Sequence, residues 1–131
     1  MAGITLDAGA LIAAERNDRD FWAFYKDATQ EGVVMNLPAG VLAQVWRGSE
    51  QARLAKLISS CHVVPLDEGL AKAAGLLCGR TGTSDVVDAS VVAVAAQRGD
   101  PVLTSDARDI RKLATSAGNV GVIPLRGAKQ T

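Results

Sequence analysis

The sequence predicts an α/β protein with a central, mostly parallel sheet of about five strands and helices on both faces, three layers in all. Three observations carry this. Short apolar runs recur along the chain, and they are apolar throughout instead of alternating, as strands buried on both faces are. Longer helical patterns separate them, the order expected of βα units. Nothing between residues 1 and 131 has the composition of a linker, a repeat or a low-complexity segment, so the chain reads as one domain.

Taken in order, "GITLD" (3–7) is the first strand and "AGALIAAE" (8–15), rich in Ala and Leu, the first helix. A second helix spans 20–29, and "GVVMN" (32–36) follows as a strand. Pro38 suits the first turn of a helix over 39–47, because its missing N–H costs nothing there. A further helix at 50–59 leads to the strand "HVVPL" (62–66), after which Asp67 caps a helix over 68–77. The next helix, 85–98, carries its own punctuation: Ser84 to cap it and Gly99 to end it. "PVLTS" (101–105), a helix at 110–117 and "VGVIP" (120–124) complete the pattern, and the tail "RGAKQT" is expected to fray.

Composition excludes several classes. With 48% hydrophobic residues the chain fits a globular fold and not a disordered one. Fourteen basic residues cancel fourteen acidic ones, so no overall field advertises nucleic acid or a membrane surface, although a local patch would suffice for either. Asp7 and Glu15 interrupt the N-terminus too early for a signal peptide, and no apolar run is as long as a membrane span. Cys61 and Cys78 lack metal-type spacing and read as free thiols of a reducing compartment. The expected location is the cytoplasm.

The fold class directs attention to one rim. Open parallel sheets form their sites beyond the carboxyl ends of the strands. Asp7 closes the first strand and Asp106 follows the fourth. Asp88 lies in the first turn of the helix feeding that fourth strand, at the same edge. Acids grouped in this way raise one another's pKa unless a cation neutralises them. A hard divalent ion with oxygen ligands answers that need, and Mg²⁺ uses a few carboxylates plus water.

Four segments, "ITLDAGALIAAE", "LPAGVLAQVWRG", "SDVVDASVVAVAAQRG" and "PVLTSDARDIRKLA", together resemble the PIN domain, in particular the VapC-type toxins of bacterial toxin–antitoxin pairs. Each motif alone is weak; four in register over most of the chain are specific. The resemblance implies a Mg²⁺- or Mn²⁺-dependent ribonuclease, usually a homodimer, held inactive by a cognate antitoxin. It places the family's first, third and fourth acids on Asp7, Asp88 and Asp106, as metal ligands and catalytic groups. The second acid, commonly Glu, falls on Gln44 in "LAQVWRG", so an amide stands where the family has a charge. Asp85, one turn before Asp88, is either an auxiliary acid that restores that charge or a simple helix cap. The implied chemistry is metal-assisted hydrolysis of an RNA phosphodiester, with Gln44 and Asp85 orienting water or a second ion.

Other residues admit plainer roles. Asp109 reads as a surface acid paired with Arg111 or Lys112, with contact to the acid site as its alternative. Thr104 and Ser105 are either strand-end caps or hydrogen-bond partners of a ligand carboxylate or the substrate. Arg47, three residues after Gln44, is a phosphate contact or an ordinary helix-end arginine. His62 has no visible partner and reads as structural, and Trp46 reads as core. Phe21, Trp22, Phe24 and Tyr25 crowd one helix, which suits either an interface with a second subunit or antitoxin, or core packing with Tyr25 partly exposed. Two rival functions stand beside the nuclease. A phosphoryl-transfer enzyme with Asp7 as nucleophile would carry a second acid at residue 9, and that residue is Gly9. A catalytically weakened PIN-like module that binds RNA or a partner has Gln44 as its support.

Overall fold

The computed structural model describes residues 2–125; the tail expected to fray lies outside them. The elements run β1 (Gly3–Leu6), α1 (Ala8–Glu15), α2 (Arg19–Gln30), β2 (Val34–Pro38), α3 (Ala39–Val45), α4 (Ala52–Ser59), β3 (His62–Val64), α5 (Glu68–Thr81), α6 (Val86–Arg98), β4 (Val102–Thr104), α7 (Ala107–Ala117) and β5 (Val122–Pro124). The five strands form one sheet in the order β3-β2-β1-β4-β5, and all four pairings are parallel.

That order places the site. From β1 the chain steps to β2 and then β3 in one direction, whereas β4 and β5 lie on the other side of β1. Right-handed crossovers in opposite directions put their helices on opposite faces. Thus α1 contacts α2, α3 and α4, while α5, α6 and α7 contact one another. The reversal falls between β1 and β4, the position at which open parallel sheets open a crevice. Asp7 follows β1 directly, and Asp106 comes two residues after β4.

Two apolar layers hold the sheet. Leu6, Leu11, Phe21, Leu37, Leu54 and Leu57 are fully buried, and so are Val91, Val92, Val94 and Leu103. Helix α6 is unusual in that residues 89–95 are all buried. It lies against β1, β2 and β4 and also touches α3, α5 and α7, which explains its Val and Ala composition. Its depth fixes the position of its first turn, where Asp88 sits.

Several expected boundaries move, each for a local reason. Strand β2 starts later than expected and ends at Pro38, because Gly32, with φ +75°, completes the exit from α2. Pro38 therefore closes the strand beside Val64 and stands before α3, not within its first turn. The cap of α6 is Asp85 and not Ser84: its Oδ1 accepts the Asp88 N–H at 3.0 Å. Asp67 caps α5 and Gly99 ends α6, as expected. Helix α5 continues a further turn to Thr81, and α7 starts three residues early because Asp106 leaves β4 straight into it.

Within the single chain, the aromatic helix packs on the core. Phe21 is fully buried, and Trp22, Phe24 and Tyr25 lie half-buried against the core. The Trp22 indole donates to the Ala14 carbonyl at 3.2 Å, and Tyr25 shares a hydrogen bond with Ser60 at 2.8 Å. Trp46 also packs on the core. Both cysteines are free, and burial pushes the Cys61 thiol up to about 12.

Sequence reasoning missed one buried polar cluster. Asp100, just after the C-cap of α6, accepts from the Thr5 hydroxyl at 2.9 Å and from the Asn36 amide at 2.8 Å. All three side chains are buried. The cluster ties β1, β2 and the entry to β4 together, so it is an anchor beneath the sheet's functional rim.

A candidate acid site at the sheet's carboxyl edge

Asp7 leaves β1 in extended conformation and caps α1, its Oδ1 accepting the Ala10 N–H at 2.8 Å. It is only 3% exposed. Burial pushes its carboxyl up to about 6. The Thr104 hydroxyl and the N–H groups of Ala10 and Gly9 oppose that rise, and the charge of Asp106 adds to it. Thr104 is fully buried, and its Oγ1 also accepts the Asp106 N–H at 2.8 Å. Thr104 thus caps the strand end, and its hydroxyl lowers the Asp7 carboxyl against the effect of burial.

Asp88 approaches from the first turn of α6. Partial burial pushes it up to about 7, followed by the charge of Asp85, hydrogen bonding with that carboxylate, and the charges of Asp7 and Asp109. Five acids from three segments therefore feel one another: Asp7 with Asp106, and Asp88 with Asp7, Asp85 and Asp109. The expectation for Asp109 is corrected. Its charge acts on Asp88, and among the described residues the sole ion pair is Lys72–Glu68 on α5. One turn of α7 separates it from Asp106, which carries it to the same rim.

Other residues fall elsewhere. Gln44 is exposed on α3. Arg47 folds back on its own helix, donating to the carbonyls of Trp46 at 2.7 Å and Ala43 at 3.3 Å. It serves as a C-terminal cap, a role favoured by the helix dipole. His62 opens β3 at the opposite end of the strands, with Arg98 at 3.4 Å, and takes no part in the acid site.

The donor set suits a hard divalent cation: every polar side chain here offers oxygen, and Asp7 and Asp88 are both pushed up, chiefly by burial and further by neighbouring carboxylates. Among the described residues the carboxylates are near enough to perturb each other, yet no three His, Cys, Asp or Glu side chains stand at ligand spacing. A cation bound between them would replace acid–acid repulsion with attraction, so the residues fit the ion.

The chain was compared with known families and solved structures. The PIN domain model matches residues 4–115. No curated protein matches the chain. Among solved structures, VapBC2 of Rickettsia felis, bound to a promoter DNA fragment, superposes with a TM-score of 0.74 at 12% identity, covering 93% of this chain and 98% of that one. VapBC of Salmonella typhimurium bound to DNA gives 0.72 at 17% identity, covering 95% and 99%. A toxin–antitoxin complex from Klebsiella pneumoniae gives 0.69 at 18%, covering 92% and 95%. At these identities the likeness is one of fold.

Proposed function

The chain belongs to the PIN-domain family, and on that premise we propose that it is a divalent-metal-dependent ribonuclease acting as the toxin of a toxin–antitoxin pair. The observation that carries the reading is the convergence of Asp7, Asp88 and Asp106 on the β1–β4 crevice, inside the stretch the family model matches; Asp7 feels the charge of Asp106, and Asp88 that of Asp7. The similar solved complexes are toxin–antitoxin assemblies, which supports a cognate antitoxin as partner and a homodimer as the working unit. No helix among the described residues is long and apolar enough to cross a membrane.

In this reading Asp7, Asp88 and Asp106 would hold Mg²⁺ or Mn²⁺, directly or through water, over residues 1–131 as a single catalytic domain. When bound, the ion supplies Lewis-acid polarisation of the phosphate and acidification of water. The chain's own groups do the rest. The Ala10 N–H holds the Asp7 carboxylate, Thr104 holds the Asp106 backbone, Asp85 caps the first turn of α6 that carries Asp88, and Asp109 adds negative charge at the edge. No histidine stands at this rim, so proton transfer falls to the carboxylates and water.

Gln44 brings an amide where a charge would help. Restoring one negative charge about 6 Å from a divalent ion, in near-aqueous surroundings, is worth about 1.4 kcal/mol. Gln44→Glu is therefore expected to tighten Mn²⁺ binding about tenfold by calorimetry and to raise cleavage at low metal. The gain should be larger in an Asp85→Asn background if Asp85 already compensates. Unchanged affinity in both backgrounds would place Gln44 outside the metal site.

The toxin assignment is tested in cells. Induced expression in a bacterial host should arrest growth with loss of intact RNA, and Asp88→Asn at equal protein level should not. Equal arrest by both proteins would overturn it.

A further inference from the structure

The turn after β4 lies directly on the start of α1. A Cβ built at Gly9 would collide with the Ser105 hydroxyl oxygen, and it would stand 3.1 Å from Ser105 Cβ and 3.2 Å from the Ser105 backbone nitrogen. Turning the Ser105 hydroxyl away relieves the collision itself, while the contacts to Cβ and the backbone nitrogen still require the turn to shift by a few tenths of an ångström. Gly9 is not among the glycines with positive φ. Its missing side chain therefore provides space and not backbone freedom.

This contact sits between two hydrogen bonds. On one side the Asp7 N–H donates to the Leu103 carbonyl at 3.3 Å. On the other, Thr104 Oγ1 accepts the Asp106 N–H at 2.8 Å. Ser105 is the residue between Thr104 and Asp106, so the depth at which it seats on Gly9 sets how closely Asp106 approaches Asp7.

We propose that the Gly9–Ser105 contact sets the spacing of Asp7 and Asp106, making Ser105 a positioning residue of the cation site. The inference rests on the cation-site reading above but not on the identity of the substrate, because its test reads metal binding.

The test is a calorimetric Mn²⁺ titration of the wild-type protein, Gly9→Ala, Ser105→Gly and the double variant, each checked for fold by circular dichroism and thermal midpoint. Outer partners of metal ligands typically contribute about 10–100-fold in affinity. Gly9→Ala should lose about tenfold or more, and Ser105→Gly about threefold, through loosening of the turn. The double variant should recover most of the Gly9→Ala loss, since the alanine methyl occupies space the serine vacates. Wild-type affinity in Gly9→Ala, or a double variant no better than Gly9→Ala, would overturn the proposal. If Gly9→Ala does not fold, Ser105→Gly decides it, and unchanged affinity there counts against the role. A wild-type protein that binds no Mn²⁺ overturns the cation site itself and this inference with it.

Discussion

Asp88→Asn is expected to fold normally and to cleave RNA at least about a hundredfold more slowly than the wild-type protein. Losing only an outer partner of a metal ligand typically costs about 10–100-fold, and Asp88 is placed to act on the ion itself. Its neighbours supply the reason the effect is specific. Burial and the charges of Asp85, Asp7 and Asp109 all disfavour the Asp88 carboxylate, a penalty that a bound cation would relieve. The substitution keeps the shape, and the backbone N–H of residue 88 still donates to Asp85. Circular dichroism and single-turnover cleavage on the same preparation separate loss of chemistry from loss of fold. Cleavage within threefold of wild type would remove Asp88 from the site.

Asp7→Asn should abolish cleavage as well, yet make the metal-free protein more stable at neutral pH. The Asp7 carboxyl is raised from 3.8 to about 6 in the folded protein, chiefly by burial. Below about pH 3.8 it is protonated in both states and contributes nothing. Between about pH 3.8 and 6 the unfolded chain releases the proton while the folded protein keeps it, so stability falls as pH rises. Above about pH 6 the penalty is constant, on the order of 3 kcal/mol. Asp88 acts with the same sign up to about pH 7, weakened by its contact with solvent. Urea denaturation with chelator should therefore show Asp7→Asn more stable by about 2–3 kcal/mol at pH 7.5 and indistinguishable at pH 3.5. Asparagine caps a helix well, so the bond from Ala10 survives. Mn²⁺ should raise the thermal midpoint of the wild-type protein much more than that of the variant. A variant no more stable than wild type at pH 7.5 would mean that Asp7 carries no electrostatic strain.

How far the sequence could lead follows from which forces are local. The parallel sheet was legible because continuous apolar runs and helix caps are local signals, and α1 appears over the residues expected. The rim acids were legible because topology sends the ends of β1 and β4 and the start of α6 to one edge. Choosing Asp85 over Ser84 as cap was not, since both residues cap well and the choice depends on how α5 hands over to α6. Asp109 has Arg111 and Lys112 close in sequence, yet its charge is felt by Asp88 across the rim. Arg47 looked available to phosphate until its guanidinium was found on the α3 carbonyls. The Asp100 cluster and the Gly9–Ser105 contact join residues more than sixty positions apart, and no local pattern announces such pairs.

The central claim is that the acids at the β1–β4 crevice hold a divalent cation that drives RNA hydrolysis. It is tested most directly by incubating purified wild-type protein with single-stranded RNA and Mg²⁺ or Mn²⁺, with excess chelator and with Asp88→Asn as parallel controls. The account predicts cleavage that requires added metal, stops on chelation and is absent from the variant. Cleavage that persists in chelator, or that the variant performs equally, would contradict it.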